Sequence, residues 1–380
     1  MVPGNSLSLE GICLQGAVEH FFFDAAPRNI TPYGDGNIND SWLVTQSNGN
    51  DWILQRINSH VFSRPDLVLS NMRLVINHLV KEGRRLGLVP ERLQVFYLKT
   101  GSNSADYFID EDNYWWRAIS FINDTTTFRT IHHPVQAMEI GSGLGLFHRL
   151  LSTLPSVSLA DTLPGFHDTS NYLVNYDVIF KKYSASLNEE EIYCARFVEK
   201  RRHLPDLLTR EKQNLIIQAT HNDPKVANFL FSSDGKRVVS LVDLDTVKPG
   251  LLLHDIGDGL RSCCSLGRED FAEKGPLFDP EFFRSFLIGY QQEFGLRLTH
   301  WDQNRIVAAT LLITFELGLR FFSDHLSGNV YFKIDYPGHN LKRGLALFHQ
   351  AAKMESMRDQ LDDIVSDIFS TDSITTNPLI

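Results

Sequence analysis

Apolar residues cluster along two short stretches near the amino terminus, 41 to 45 and 51 to 57, on either side of Ser47-Asn48-Gly49-Asn50. Short apolar-rich runs around a tetrapeptide of turn formers predict two strands joined by a tight turn. Apolar-rich runs at 92–99, 105–109 and 114–122 predict further strands. Between the two groups Pro65-Asp66 opens a different pattern. Leu69, Met72, Val75, Ile76, Leu79 and Val80 recur every three or four residues, which predicts a helix with one buried stripe that ends near residue 87. After about residue 123 the helical period takes over, with segments near 134–153, 172–184, 188–202, 205–218, 280–294, 302–325 and 340–360. One interruption stands out. Phe229-Leu230-Phe231 and Val238 to Val242 read as strands returning through an Asp234-Gly235 turn. The pattern therefore predicts an α+β chain of two parts, a β-rich part with one helix over 1–123 and a mostly helical part over 124–380. The polar tail beyond about residue 369 is expected to fray.

Composition narrows the classes. With 380 residues and 43% hydrophobic content the chain can fill two substantial cores. Its 36 basic against 46 acidic residues give a net charge of −10, which argues against a nucleic-acid partner, since phosphate backbones need a positive face. Lys200-Arg201-Arg202 reads as a solvated helix end. Cys13, Cys194, Cys263 and Cys264 lack a CxxC spacing, and a vicinal pair seldom forms a structural disulfide, so reduced thiols in a cytoplasmic setting are expected. No basic-then-apolar leader and no run of eighteen apolar residues is present, so neither export nor a membrane span is expected.

The candidate chemistry is concentrated in His221-Asn222-Asp223-Pro224-Lys225-Val226-Ala227-Asn228 and in Val242-Asp243-Leu244-Asp245. Phosphoryl transfer requires a carboxylate to orient and deprotonate an acceptor hydroxyl, and oxygen ligands that hold Mg²⁺ against the phosphates. Asp223 has the first role by position. Asn228 five residues later, with Asp243 and Asp245 across the 229–242 hairpin, supplies candidate metal ligands. Period-two alternation would let Asp243 and Asp245 face one side if the extended chain continues. An isolated Asp-x-Asp also occurs in nucleotide-sugar sites and in ordinary turns; it is the combination with His-x-Asp-x-x-x-x-Asn that points to phosphoryl transfer.

These strings, with HDIGDGLR at 254–261, resemble the aminoglycoside phosphotransferase and choline kinase superfamily, and within it the N-acetylhexosamine 1-kinase branch. Tyr33 to Asp40, Trp52 to Asn58, Phe166-His167-Asp168-Thr169 and Arg320 to Asp324 extend the similarity over roughly residues 15 to 350. The resemblance implies a protein-kinase-like two-lobed fold, with ATP and Mg²⁺ as cofactors and a monomer or weak homodimer. It implies that a glycine-containing loop with Gly34, Gly36, Asn37, Ile38 and Asn39 covers the nucleotide. Arg56 stands on the returning strand where kinases carry a phosphate-binding Lys, and a planar guanidinium can grip phosphate. The helix offers Ser70 and Asn71 where a kinase would carry an acidic partner. Lys225, Arg320 and Tyr331 are the implied acceptor contacts. For Arg320 the plain alternative is an ion pair with Glu316 one turn earlier, and for Tyr331 a packed aromatic.

The implied reaction moves the γ-phosphoryl group of ATP to a sugar hydroxyl, the anomeric one of an N-acetylhexosamine. Other acceptors stay open, among them aminoglycosides, choline, homoserine and methylthioribose, because function resides in the pocket and not in the fold. So does a non-catalytic nucleotide or sugar sensor. The roles of Asp245, Asp255, Asp258 and Arg261 stay open too, with Asp255 and His221 read as braces of the catalytic loop.

Overall fold

The computed structural model describes residues 9–34, 38–88, 92–183, 186–209, 212–265 and 278–370. A small lobe opens the chain with α1 (Leu9–Phe21), β1 (Pro27–Pro32), β2 (Asp40–Gln46), β3 (Asp51–Ile57), α2 (Pro65–Arg85), β4 (Phe108–Ile109) and β5 (Trp115–Ser120). Its antiparallel sheet has the order β1-β2-β3-β5-β4. At the β2–β3 turn Gly49 takes a φ of 86°, a left-handed conformation that costs glycine nothing. Strand alternation gives the sheet two different faces. Val44, Trp52, Leu54, Trp116 and Ala118 pack under Ala17, Phe21 and Phe22, which α1 and the residue after it provide. Gln55 and Arg117, paired across β3 and β5, lie on the other face, toward the second lobe.

Helix α2 serves both lobes. Val68 and Leu69 join Ile57 and Phe62 beneath the sheet, while Met72, Val75, Ile76 and Leu79 continue the same stripe into the main core. It stops at a glycine cap: the Gly87 amide donates to the Arg84 carbonyl and the Leu88 amide to that of Gly83, a pairing that Gly87 permits with its φ of 67°. No acidic residue of α2 faces the cleft. Asn71 is buried there and staples the helix to the second lobe, donating to the Ala160 and Val247 carbonyls and accepting from the Ala160 amide.

The large lobe comprises β6 (Thr125–Thr126), α3 (Pro134–Leu151), α4 (Thr169–Lys182), α5 (Glu189–Lys200), α6 (Asp206–Thr209), β7 (Ile217–Thr220), β8 (Phe229–Ser232), β9 (Val238–Leu241), β10 (Lys248–Leu251), α7 (Leu252–Cys263), α8 (Pro280–Phe294), α9 (His300–Gln303), α10 (Ile306–Leu326), α11 (His339–Ser356) and α12 (Arg358–Phe369). The α+β, protein-kinase-like division into a small β-rich and a larger helical lobe is thus the observed one. Helix α10 is long and apolar enough to cross a membrane, but 83% of that window is buried inside the protein, so its apolarity serves the core. The four cysteines are free.

Two expected elements differ. Residues 92–99 do not form a continuous strand: the Lys99 amide donates to Ala118 and the Ser120 amide to Tyr97, after which the chain leaves the sheet and returns as β4 on the same partner strand. The expected helix at 205–218 is only the four-residue α6 and a turn at 212–214, and its end becomes β7, paired with β10. Ile216, Ile217 and Thr220 are β-branched, and a short apolar run does not discriminate helix from strand by period.

Helices α3 and α8 hold the base of the large lobe by backbone contact. A Cβ on Gly141 would lie 1.9 Å from the Phe286 carbonyl oxygen, and one on Gly289 1.9 Å from that of Met138. Neither obstacle is a flexible side-chain end, so Gly289→Ala must push the helices apart. We expect it to lower the unfolding free energy by about 3 kcal/mol, the upper part of the overpacking range, measured by urea denaturation; a loss under ~0.5 kcal/mol would mean that the helices do not need this approach.

Candidate active site

The segment between β7 and β8 turns sharply at Asn222, whose φ of 66° is left-handed, a conformation that Asn and Asp tolerate better than most residues. Asp255, on the first turn of α7 and fully buried, enforces the turn. Its two oxygens accept from the successive main-chain amides of His221 and Asn222, both at 2.6 Å, and from His148 Nε2 at 2.9 Å. Burial alone would raise the Asp255 carboxyl; the hydrogen bond and field of His148, with the amides, overcome it and hold the group below the ordinary carboxylate range. His148 Nδ1 meets the Tyr290 hydroxyl at 2.8 Å, which carries the brace into α8. His221 Nε2 donates to the Val242 carbonyl, so His221 ties the loop to the end of β9.

Asp223 follows the turn and reaches the cleft with 31% of its side chain exposed. Lys225 Nζ donates to its Oδ2 at 2.6 Å, and Asn228 Nδ2 to its main-chain oxygen at 2.8 Å. Surrounding protein works to raise the Asp223 carboxyl, and the Lys225 ammonium outweighs that, so it stays ionised below the ordinary range. Three carboxylates, Asp223, Asp243 and Asp258, in turn hold the Lys225 ammonium above its ordinary value against burial. The β8–β9 hairpin brings the other ligand candidates back. Phe229 pairs with Leu241, and the Val242 amide donates to the Asn228 carbonyl at 2.9 Å, which sets Asp243 beside Asn228.

Asp243 is also left-handed, with φ 66°, and the next residues form a short helical turn, Leu244–Thr246. The extended chain therefore ends one residue too early for Asp243 and Asp245 to share a side. Among the described residues no hydrogen bond reaches the Asp243 carboxylate. Crowding at the cleft floor, with the carboxylates of Asp245 and Asp223, pushes it above the ordinary range, and Lys225 only partly offsets this. An unmet carboxylate beside an Asn amide is an oxygen donor set that fits a hard divalent cation.

Asp245 departs from its expected place among the ligands. It is buried, with Arg117 Nη1 on one oxygen at 2.5 Å and Asn39 Nδ2 on the other at 2.7 Å. Arg117 also donates to Gln55 on β3, and Asn39 accepts from the Asn58 amide. Asp245 thereby joins the metal-side loop, the sheet and the glycine-containing loop in one contact. The expectation for Arg56 needs the corresponding correction. It pairs with Trp116 on the face that α1 covers, one residue out of phase with the cleft face, and its guanidinium binds Asp40 at 2.9 Å and stacks over Tyr114. The cleft-facing arginine is Arg117.

Around the nucleotide loop, Gly34 has the left-handed φ of 75° with open space about it. Ile38 packs toward Ile57 and Phe62, and its carbonyl accepts from Asn58. Gly36 and Asn37 lie outside the described residues.

On the acceptor side, Arg320 of α10 sits among four rings, with Phe166, Tyr172, Phe332 and Tyr331 at 5.0, 5.3, 5.5 and 5.7 Å from its guanidinium carbon. Among the described residues no carboxylate pairs with it. Glu316, its candidate partner, is taken by His167 at 2.8 Å and by Thr169 at 2.6 Å. Tyr331 is held by its backbone, its amide donating to Asp324 together with those of Val330 and Phe332. Lys333, just beyond, reaches Asp40 of the small lobe at 3.1 Å. Asp258 is buried beside this region; Arg261 binds its Oδ1, while Oδ2 has no partner among the described residues.

A model of the phosphotransferase enzyme family matches residues 29–297. Solved structures share the fold at low identity. An aminopropanol kinase associated with a microcompartment has a TM-score of 0.62 at 14% identity, covering 92% of this chain and 98% of its own. An amicoumacin kinase in complex with AMP-PNP, Ca²⁺ and Ami has 0.60 at 16%, covering 92% and 94%. The choline kinase of Cryptosporidium parvum Iowa II has 0.57 at 13%, covering 89% and 93%.

Removing one member of the Arg117–Asp245 pair strands a buried charge. We expect Asp245→Ala to cost about 3–5 kcal/mol in urea denaturation, and Arg117→Met combined with Asp245→Leu to recover most of it. A single-variant loss below ~1 kcal/mol would class the pair with surface ion pairs and refute its role as an inter-lobe contact.

Proposed function

The chain belongs to that phosphotransferase enzyme family, and from this premise we propose that it transfers the γ-phosphoryl group of ATP to a hydroxyl of a neutral sugar, the anomeric hydroxyl of an N-acetylhexosamine. The observation that carries the acceptor class is the charge pattern around Asp223. Among the described residues three carboxylates on the acceptor side are each matched to a basic group: Asp223 to Lys225, Asp258 to Arg261 and Glu316 to His167. The basic group without a direct ion pair among the described residues is the guanidinium of Arg320, which feels the carboxylates of Glu316 and Asp223 only at a distance. A pocket that selects choline or another amine needs surplus negative charge, as a cation in an aromatic box already occupied by Arg320 would be repelled. Hydroxyls and an acetamido carbonyl suit it better, since Arg320 and Lys225 can donate to their oxygens.

In this reading ATP lies between the small-lobe sheet and the cleft floor, with Arg117 on the phosphate side. Asn228 and Asp243 would hold Mg²⁺, which when bound neutralises charge on the phosphate oxygens. Asp223 orients the acceptor hydroxyl and takes its proton. An anomeric hydroxyl is more acidic than an ordinary alcohol, which suits a carboxylate that accepts the proton late in a loose transition state. Lys225 fixes the Asp223 carboxylate and lies close enough to contact the sugar. Arg320 and Tyr331 orient the ring from the opposite side.

A Mg²⁺-dependent ADP-release assay with N-acetylhexosamines, plain hexoses, choline, homoserine, methylthioribose and an aminoglycoside tests the proposal. An acid-labile sugar phosphate from the N-acetylhexosamines alone is the expected product. Turnover only with an amine would overturn the acceptor class, and ATP or sugar binding without turnover would favour a sensor. We expect Asp223→Asn to lower kcat at least about 10²-fold while ATP still binds; wild-type turnover in that variant would remove Asp223 from the mechanism. Arg320→Ala should raise KM for the sugar by roughly 10- to 100-fold, the worth of a hydrogen bond from a charged donor, and leave KM for ATP unchanged. An unaltered sugar KM would place Arg320 outside the acceptor site.

A further inference from the structure

His167 stands at the end of a left-handed turn, φ 62°, just ahead of α4, and its ring is buried between three elements. Nδ1 faces the Glu316 carboxylate of α10 at 2.8 Å. Nε2 faces the main-chain carbonyl of Asn222 at 3.0 Å. A carbonyl has no proton to give, so Nε2 must carry one. Nδ1 faces a carboxylate whose other oxygen already accepts from the Thr169 hydroxyl at 2.6 Å, so that end too calls for an N–H. A neutral imidazole has one N–H, and two acceptors need the imidazolium. Asn222 is the residue before Asp223, and its carbonyl belongs to the peptide bond that orients the Asp223 backbone.

We propose that His167 is a positioning residue of the active site, held as an imidazolium that bridges Glu316 to the Asn222 carbonyl and so sets Asp223 from the side opposite Asp255. The two braces divide the Asn222 peptide units between them. Asp255 holds the amides, and His167 holds the carbonyl. This rests on Asp223 as the reacting carboxylate, but not on the identity of the acceptor.

The groups that face His167 set the sign of its pH dependence. From α10 come Glu316 and, farther off, Arg320; from α7 come Asp258 and the ring of His254, 4.9 Å away; Asp223 lies in the loop it braces and Asp168 follows it in the chain. Burial works against the charge, and Glu316, the Asn222 carbonyl and Asp258 more than restore it, so His167 titrates above its ordinary value of 6.5. His254 takes the opposite state: burial and then the charge on His167 bring it down to about 3, leaving it neutral. A raised folded pKa means that the stabilisation is whole below about 6.5 and is lost as pH rises through the folded value. Activity that depends on the strut should fall on the basic side.

The test is NMR on the intact protein, with ¹⁵N-labelled histidine and with a ¹³C′-asparagine, ¹⁵N-aspartate pair label that isolates its four Asn-Asp peptides, at 39–40, 50–51, 123–124 and 222–223. His167→Gln assigns the ring signals. We expect both ring nitrogens of His167 to be protonated at pH 6.5, a titration midpoint above 6.5, and the same midpoint in the 222–223 peptide signal. Glu316→Gln should move both midpoints to lower pH together. A neutral ring with the proton on Glu316, or a 222–223 signal that ignores the titration, would overturn the proposal. The kinetic arm uses Mg²⁺, ATP and whichever of N-acetylglucosamine and N-acetylgalactosamine turns over. Wild type should lose kcat along a basic limb with the NMR midpoint, and His167→Gln should lose the limb and about 10²-fold in kcat, with KM for ATP within about twofold. A His167→Gln enzyme that keeps the limb refutes the positioning role even if it is less stable. If wild type turns over neither N-acetylhexosamine, that defeats the acceptor reading, and the NMR arm still decides the strut. Should His167→Gln not fold, assignment and limb shift pass to Glu316→Gln.

Discussion

One buried carboxylate governs the geometry of this active site. Asp255 accepts from two successive main-chain amides and from a histidine without any exposure to water. An ionised group so placed is tolerable only while all these donors are present, so the loop, α3 and α7 must meet in one arrangement. The left-handed turn at Asn222 follows from this grip, as it puts two consecutive N–H groups on the same acceptor. Asp223, Lys225 and Asn228 then take their positions relative to a fixed point, and the hairpin that begins at Phe229 carries the point to Asp243.

The second constraint lies between the lobes. In protein kinases a strand lysine meets a helix glutamate; here α2 offers Asn71, whose amide binds main chain, and the ionic contact passes instead from Arg117 of β5 to Asp245. The change moves the charge pair from within the small lobe to the interface of sheet and metal-side loop. The glycine-containing loop enters the same contact through Asn39. The small-lobe sheet, the Asn39 segment and the 244–246 turn are consequently coupled through one carboxylate, and the Lys333–Asp40 contact adds a second link between the lobes.

Much of this arrangement was legible where the relevant partners are near in sequence. Apolar-rich runs identified β2, β3 and β5, the Asp234-Gly235 turn identified the hairpin, and the stripe from Leu69 to Leu79 identified α2. The spacing of Asp223, Asn228 and Asp243 placed them together because a short hairpin is all that separates them. Failures came where a distant partner decides. The face of a strand residue depends on its neighbours, so Arg56 and Arg117 could not be told apart without the register of β3 against β5. Asp245 looks like a ligand until its partner 128 residues away is known, and Glu316 looks like a mate for Arg320 until His167, 149 residues earlier, claims it. The 205–218 segment failed for a different reason, as its apolar run satisfies either period and its pairing with β10 settles the outcome.

The glycine contact between α3 and α8 has a bearing on how the chain acquires its active structure. The two helices are separated in sequence by the whole catalytic segment, and their contact leaves no room for a side chain to mediate a partial approach. Tyr290 of α8 also supplies the hydroxyl behind His148, and His148 is a donor to Asp255. During synthesis the catalytic loop therefore emerges before its brace can be completed, and waits for α8 to arrive. Contacts of such long range make folding slow. The order of synthesis thus leaves the Asn222 turn without its full brace until most of the large lobe is available to enclose it.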